Sequence, residues 1–249
     1  MLLEENIPKI GSGPTTHIAF HGWGSDHRTF DPISSMVPDH YSVLCPDLPG
    51  YGSSKSPKEW TLECVTDETF SMIENQNITE PVIIIGNCLG AVLGLEMISR
   101  KLIVAKKIFI IDPVIFFPMY LKIFLFGKLG KTAYHGTLDT KIGRFLSNLA
   151  VSRNKSTDID YTKSFEDVNH DSAYKYLHMM SQIPHPSRYS NINIDVDIIY
   201  GKKTLGAVRK SSKALKSIWA HAKEIEIPKA GHLPLIEQTE LMAKLLFEN

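Results

Sequence analysis

The segment Gly86-Asn87-Cys88-Leu89-Gly90 sets a thiol between two glycines at matched spacing. Val82-Ile83-Ile84-Ile85 runs just before it, and residues 91–100 just after it have helical character. A nucleophile held at a sharp strand-to-helix turn needs this arrangement. The backbone at the nucleophile is strained, and the residues on either side must be small to let the chain pass itself. Such a turn exposes the Cys88 sulfur at the carboxyl end of the strand. The following helix N-terminus favours a thiolate and presents the Leu89 N–H toward a bound carbonyl oxygen. Nucleophilic attack on a carbonyl carbon is the chemistry these residues point to. The competing reading is an inert buried Cys in a glycine-rich turn, and the order strand, turn, helix argues against it.

A sheet is required to hold such a turn. Residues 16–20 read as a short buried strand ending at His21-Gly22-Trp23-Gly24, and residues 42–45 as a second, stopped by Pro46-Asp47-Leu48-Pro49-Gly50. Residues 61–75 have helical spacing, with Leu62, Val65, Phe70 and Ile73 near one face. Residues 82–85 are apolar without alternation, as expected of a parallel strand covered on both faces. Further strands are expected at 107–111, 197–200 and 224–227, with helices near 208–219 and 240–247. Strands alternating with helices predict an α/β fold with a doubly wound, mostly parallel sheet. Between Asp112 and Asn191 the alternation stops, and the character is helical and strandless. The expected organisation is a core of residues 1–112 and 192–249 with a helical cap inserted at 113–191, a single domain overall.

Composition removes several classes of function. Lys+Arg and Asp+Glu both total 27, a formal net charge of +0, so no global field points to nucleic acid or an anionic membrane. A hydrophobic content of 43% and a charged content of 22% suit a packed core. No apolar run reaches the ~18 residues of a membrane span. Met1-Leu2-Leu3-Glu4-Glu5 lacks the basic and apolar regions of a signal peptide. Cys45, Cys64 and Cys88 have neither the pairing of a disulfide scaffold nor zinc-ligand spacing. A reducing, cytoplasmic setting without metal or cofactor is the expectation.

Taken in order, His21-Gly22-Trp23-Gly24, Asp47-Leu48-Pro49-Gly50-Tyr51-Gly52-Ser53-Ser54, the Cys88 turn and Gly231-His232 resemble the α/β-hydrolase superfamily. The set is most similar to the small-ester branch that includes pimeloyl-acyl-carrier-protein methyl ester carboxylesterase, with Cys where Ser is usual. It reaches both ends of the chain and leaves only the cap unmatched. The resemblance implies that the Trp23 backbone N–H joins that of Leu89 as the oxyanion hole, each donor typically worth ~3 kcal/mol. It also implies His232 as the base. Lys229-Ala230-Gly231-His232-Leu233-Pro234 follows the last expected strand, and of the 10 histidines His232 alone has that order and those flanks. His21 is expected to fix its loop, and Glu237 to be structural.

The orienting acid departs from the family pattern. Its usual Gly-x-x-Asp turn reads Gly201-Lys202-Lys203-Thr204 here, and a hydroxyl cannot compensate an imidazolium. The family's other location is the end of the strand before the cap, where Ile110-Ile111-Asp112-Pro113 offers Asp112. The alternative is a Cys88–His232 dyad, which sulfur tolerates better than oxygen.

The expected reaction is cleavage of a small-molecule carboxylic ester or thioester through a Cys88 thioacyl enzyme. Acyl transfer by the same intermediate and a non-catalytic ligand receptor are the alternatives. Ile115-Phe116-Phe117 and Ile123-Phe124-Leu125-Phe126 suit a medium or long acyl chain, or else form cap-to-sheet core. Residues 118–155 carry Lys122, Lys128, Lys131, Lys141, Arg144, Arg153 and Lys155 against Asp139. Residues 156–171 reverse the balance, with Asp158, Asp160, Glu166, Asp167 and Asp171 against Lys163. The basic run is either a solvated helical face or a docking surface for an acidic acyl carrier protein, with Lys128, Lys131 and Arg144 as the expected contacts.

Overall fold

In the computed structural model, residues 7–151 and 159–248 are described, so Arg153, Lys155 and Asp158 lie outside the described residues. Its strands are Lys9–Gly11 (β1), Thr15–Phe20 (β2), Ser42–Leu44 (β3), Ile78–Asn87 (β4), Ala105–Ile111 (β5), Asp195–Gly201 (β6) and Lys223–Ile227 (β7). They form one 7-stranded sheet in the order β1-β3-β2-β4-β5-β6-β7. Every pairing is parallel except β1 with β3.

The unbroken apolar runs are explained by two cores, one on each face of the sheet. Along β5, Ile108 and Ile110 enter one core while Phe109 and Ile111 enter the other. The side-chain period of two therefore survives, but both of its faces are apolar. One face is covered by α1 (Leu62–Ile73), α2 (Leu89–Ser99) and α6 (Gly206–Ile218). The other is covered by the 3-10 segment His27–Met36, by the short helix α7 (Pro234–Glu237) and by α8 (Thr239–Phe247). As expected, α1 buries Leu62, Val65 and Ile73, and it starts at Thr61, whose hydroxyl accepts the Cys64 N–H at 3.2 Å. Helix α2 is buried almost throughout, Glu96 included. That carboxylate is satisfied by Arg188 at 3.0 Å and by the Tyr189 hydroxyl at 3.1 Å.

Between β5 and β6 the described residues contain helices and turns without a strand. They are Met119–Leu125 (3-10), α3 (Gly127–Tyr134), a π-turn at His135–Asp139, α4 (Lys141–Ala150), Lys163–Glu166 (3-10), α5 (His170–Met180) and Pro186–Tyr189 (3-10). Long-range hydrogen bonds fasten this cap. The Tyr176 hydroxyl donates to the Pro49 carbonyl at 2.9 Å, and its ring stacks on Tyr51 at 4.7 Å. Ile115 of the expected acyl-binding stretch is instead core, its N–H donating to Ser211 Oγ at 3.1 Å. The chain is back on the core before residue 192: besides the Glu96 contacts, the Trp219 indole donates to the Tyr189 carbonyl at 3.0 Å. No described helix is long and apolar enough to cross a membrane.

Candidate active site

Strand β4 hands over to α2 at Cys88, whose backbone sits at φ 53 and ψ −110. A non-glycine residue there is strained, and the neighbours hold it in place. A Cβ at Gly86 would come within 2.3 Å of the Ala91 Cα, and one at Gly90 within 2.0 Å of the Phe20 carbonyl oxygen. Both close approaches exclude any larger residue. The Cys88 N–H donates to the Ile111 carbonyl at 2.8 Å, which ties the turn to the end of β5.

Asp112 follows directly on β5. It too has a positive φ, 44°, and its N–H donates to the Ile199 carbonyl at 2.8 Å. Its carboxylate is wholly buried. Oδ1 accepts the Gly201 N–H at 3.1 Å, while Oδ2 accepts the Thr204 hydroxyl at 2.9 Å and meets His232 Nδ1 at 2.8 Å. With Nδ1 taken, Nε2 is the ring nitrogen left for Cys88, whose side chain is near enough to favour the protonated ring. Burial alone would lower the His232 pKa. The hydrogen bond to Asp112 and then the interaction with Cys88 instead raise it from 6.5 to about 10.

The loop carrying His232 is clamped from two sides. Glu237 accepts the Gly231 N–H and the Leu233 N–H, both at 3.0 Å. It also accepts the hydroxyl of Tyr161, a cap residue, at 2.9 Å, and that hydroxyl in turn accepts the His232 N–H at 3.0 Å. Glu237 is thus structural, as expected, while Tyr161 had no signal in its own neighbourhood. Tyr161→Phe is expected to lower kcat about three- to tenfold and to cost about 1–2 kcal/mol, because it strands the His232 N–H beside the cavity. Steady-state kinetics and urea denaturation would check both effects.

On the opposite wall, His21 fixes the loop that carries Trp23. Burial lowers its pKa, against smaller opposing contributions from the Gly22 carbonyl and Asp47. The neutral ring donates from Nδ1 to the Gly22 carbonyl at 2.9 Å and accepts the Leu48 N–H at Nε2, also at 2.9 Å. The Trp23 indole donates to the Ala173 carbonyl of α5 at 2.8 Å, and its ring packs edge-on against Phe165. The side chain is therefore a packing element. The backbone N–H groups of Trp23 and Leu89 have no acceptor among the described residues.

Trp23, Cys88 and His232 line one cavity of about 580 Å³. Its apolar wall includes Leu121, Phe124, Leu138 and Met180 from the cap, Val114 just after β5, and Leu235 from the core. Phe124 thus lines the cavity and also belongs to the core, while Ile123 and Phe126 are exposed. Cys45 lies in the core, where burial and then the charges of Asp31 and Asp47 push its thiol far up, leaving it inert. Asp26, His27 and Asp47 bring possible metal-ligand atoms within 4.8 Å of one another. Both carboxylates are already engaged, Asp26 by Arg28, and Asp47 by the His27 ring and the Ser53 N–H.

This combination of sheet order, strained turn and late His defines an α/β-hydrolase. The chain belongs to the Alpha/beta hydrolase family, whose profile matches residues 18–245. A pimeloyl-[acyl-carrier protein] methyl ester esterase from Hamiltonella defensa subsp. Acyrthosiphon pisum is 20% identical over 92% of this chain and 90% of its own length. A protein of the same name from Pseudoalteromonas atlantica is 38% identical, over 23% of this chain and 24% of its own length. Local matches of this kind span 16% to 33% of the relatives' lengths. Among solved structures, an esterase from Exiguobacterium antarcticum superposes with a TM-score of 0.80 at 14% identity, covering 96% of this chain and 92% of that one.

Proposed function

We propose that the protein is a carboxylesterase or thioesterase in which Cys88 is the nucleophile, His232 the proton carrier and Asp112 the orienting acid. The observation that carries this reading is the hydrogen bond from buried Asp112 to His232, with Cys88 beside that ring on its strained turn and all three at or next to an apolar cavity. His232 takes the Cys88 thiol proton as the sulfur attacks the acyl carbon, and the backbone N–H groups of Trp23 and Leu89 receive the oxygen charge. The bond to the leaving group breaks, and His232 supplies its proton. Acylation ties the sulfur up in a thioester and so removes the Cys88 contribution that raises the His232 pKa. The imidazole can then take a proton from water, whose oxygen attacks the thioester carbon and releases the acid and the sulfur.

The buried Asp112–His232 pair set beside Cys88 favours catalysis over a receptor role, because a receptor needs no proton path. The names of the relatives support a carrier-borne acyl ester as a second reading of the substrate. Of the cations expected to dock a carrier, Lys128 is free among the described residues, whereas Lys131 pairs with Asp171 at 2.8 Å. Arg144 is buried and donates to the carbonyls of Leu138 and Asp139 at 3.1 and 3.0 Å. Intact mass after brief exposure to acyl p-nitrophenyl esters, from acetyl to dodecanoyl, tests the mechanism. The expected result is a transient single-acyl adduct released by neutral hydroxylamine and mapped to Cys88. Turnover with the adduct on another residue would refute it.

A further inference from the structure

The cap helix α4 is inverted. Ile142, Phe145, Leu146 and Leu149 recur at i, i+3, i+4 and i+7, the stripe that a surface helix ordinarily turns to the core. Here they are 74%, 66%, 56% and 59% exposed, while Gly143 and Arg144 are buried. The elements just before it behave alike, with Met119, Ile123, Phe126 and Leu129 all exposed. These elements are packed together closely: a Cβ at Gly130 would meet the Phe124 carbonyl oxygen at 2.4 Å, and one at Gly143 the Gly136 carbonyl oxygen at 2.0 Å. An apolar area of this kind on the outside of a fold is a contact surface for something else.

Its charge says what. Lys122, Lys128 and Lys141 lie among these apolar residues and pair with no carboxylate among the described residues. Asp139, the single acid in the same stretch, is taken by His135 and His170. We propose that this outer face of the cap docks on an anionic phospholipid surface. The apolar side chains enter the acyl boundary, and the three lysines meet the headgroup phosphates. An acidic carrier protein fits less well, since large apolar side chains dominate the face and two of the cations expected for docking are engaged elsewhere. Tyr120, Leu121, Ser147 and Ala150 of the same elements line the cavity, so a bilayer-dissolved acyl ester would reach it without crossing water. The docking stands independently of the chemistry at Cys88.

Co-sedimentation with sucrose-loaded vesicles tests the proposal. Wild-type protein should pellet with phosphatidylcholine vesicles containing phosphatidylglycerol, less with phosphatidylcholine alone, and less again in high salt. Phe145→Ser with Leu149→Ser should lower partitioning roughly tenfold. Hydrolysis of a short soluble ester should be unchanged, since neither residue lines the cavity. Lys128→Glu with Lys141→Glu should abolish the preference for anionic vesicles and leave the melting temperature within a degree or two of wild type. Failure of wild-type protein to pellet with anionic vesicles would overturn the proposal. So would equal pelleting of the apolar variant, or light scattering showing a dimer that this variant dissociates. Saturable binding of an acyl carrier protein in place of vesicles, lost in the lysine variant, would reassign the face to that partner.

Discussion

Replacing Cys88 by Ala is expected to lower ester turnover by about 10⁴-fold or more while the protein stays folded, because the covalent step then has no nucleophile. Ala meets the steric demands of the turn. It accepts the same strained φ as Cys and adds no bulk against Gly22, where the space beside the Cys88 Cβ is tight. The substitution removes only the thiol's polar interaction with His232 and should change stability by about 1 kcal/mol. Cys88→Ser is the finer comparison. A hydroxyl needs its proton removed as it attacks, whereas a thiol gives up its proton far more readily. The serine variant should therefore bind substrate normally and acylate slowly, with the deficit in kcat rather than KM. Wild-type turnover by a folded Cys88→Ala protein would remove the assignment.

Asp112→Asn should cut kcat by roughly 10²- to 10³-fold, less than the ~10⁴-fold typical of a serine triad, because sulfur needs less help. Asn can still accept the Gly201 N–H through its oxygen and donate its amide N–H to the Thr204 oxygen, so the fold around the site should hold. It can neither stabilise the imidazolium nor enforce its tautomer. Thr204 Oγ1 already lies 2.9 Å from Asp112 Oδ2, so Thr204→Asp in the Asp112→Asn background sets a carboxylate near the same place and should restore part of the rate. Full activity in Asp112→Asn would instead favour a Cys88–His232 dyad.

The same variant carries a pH signature in stability. The folded-state pKa of His232 lies above its unfolded value of 6.5, so the stabilisation from its partners is fully present below pH 6.5 and is lost as pH rises through about 10. Asp112→Asn removes the larger of those partners. The gap in unfolding free energy between wild type and variant should therefore be widest below pH 6.5 and close toward pH 10. Urea denaturation across that range measures it, and a gap that widens with pH would contradict the assigned cause.

Local steric and periodic features explain what was legible before the fold was known. The Cys88 turn depends on Gly86, Gly90 and the strand and helix that meet there, all within a few residues, so the sequence around it carries the whole steric argument. The strands around β4, β5 and β6 were legible because two cores leave both faces of each strand apolar. The edge strand β1 was not, because Lys9–Gly11 is too short to have a period and is held only by pairing with β3. Strand β4 also begins earlier than expected, at Ile78, where parallel pairing to β2 outweighs the polar Thr79-Glu80.

Asp112 could be named from the sequence as a candidate acid; its role depended on where the fold would bring His232, 120 residues away. Thr204 read as the wrong residue for an acid, and so it is. What the sequence could not reveal is that its hydroxyl supports Asp112 across 92 residues. Tyr161 reaches His232 across 71 residues from an otherwise unremarked part of the cap. The stripe on α4 is periodic in the sequence, but periodicity reports only that a helix has an apolar face. Which way that face points is set by the close backbone contact at Gly143, which turns Arg144 inward and leaves the stripe facing solvent.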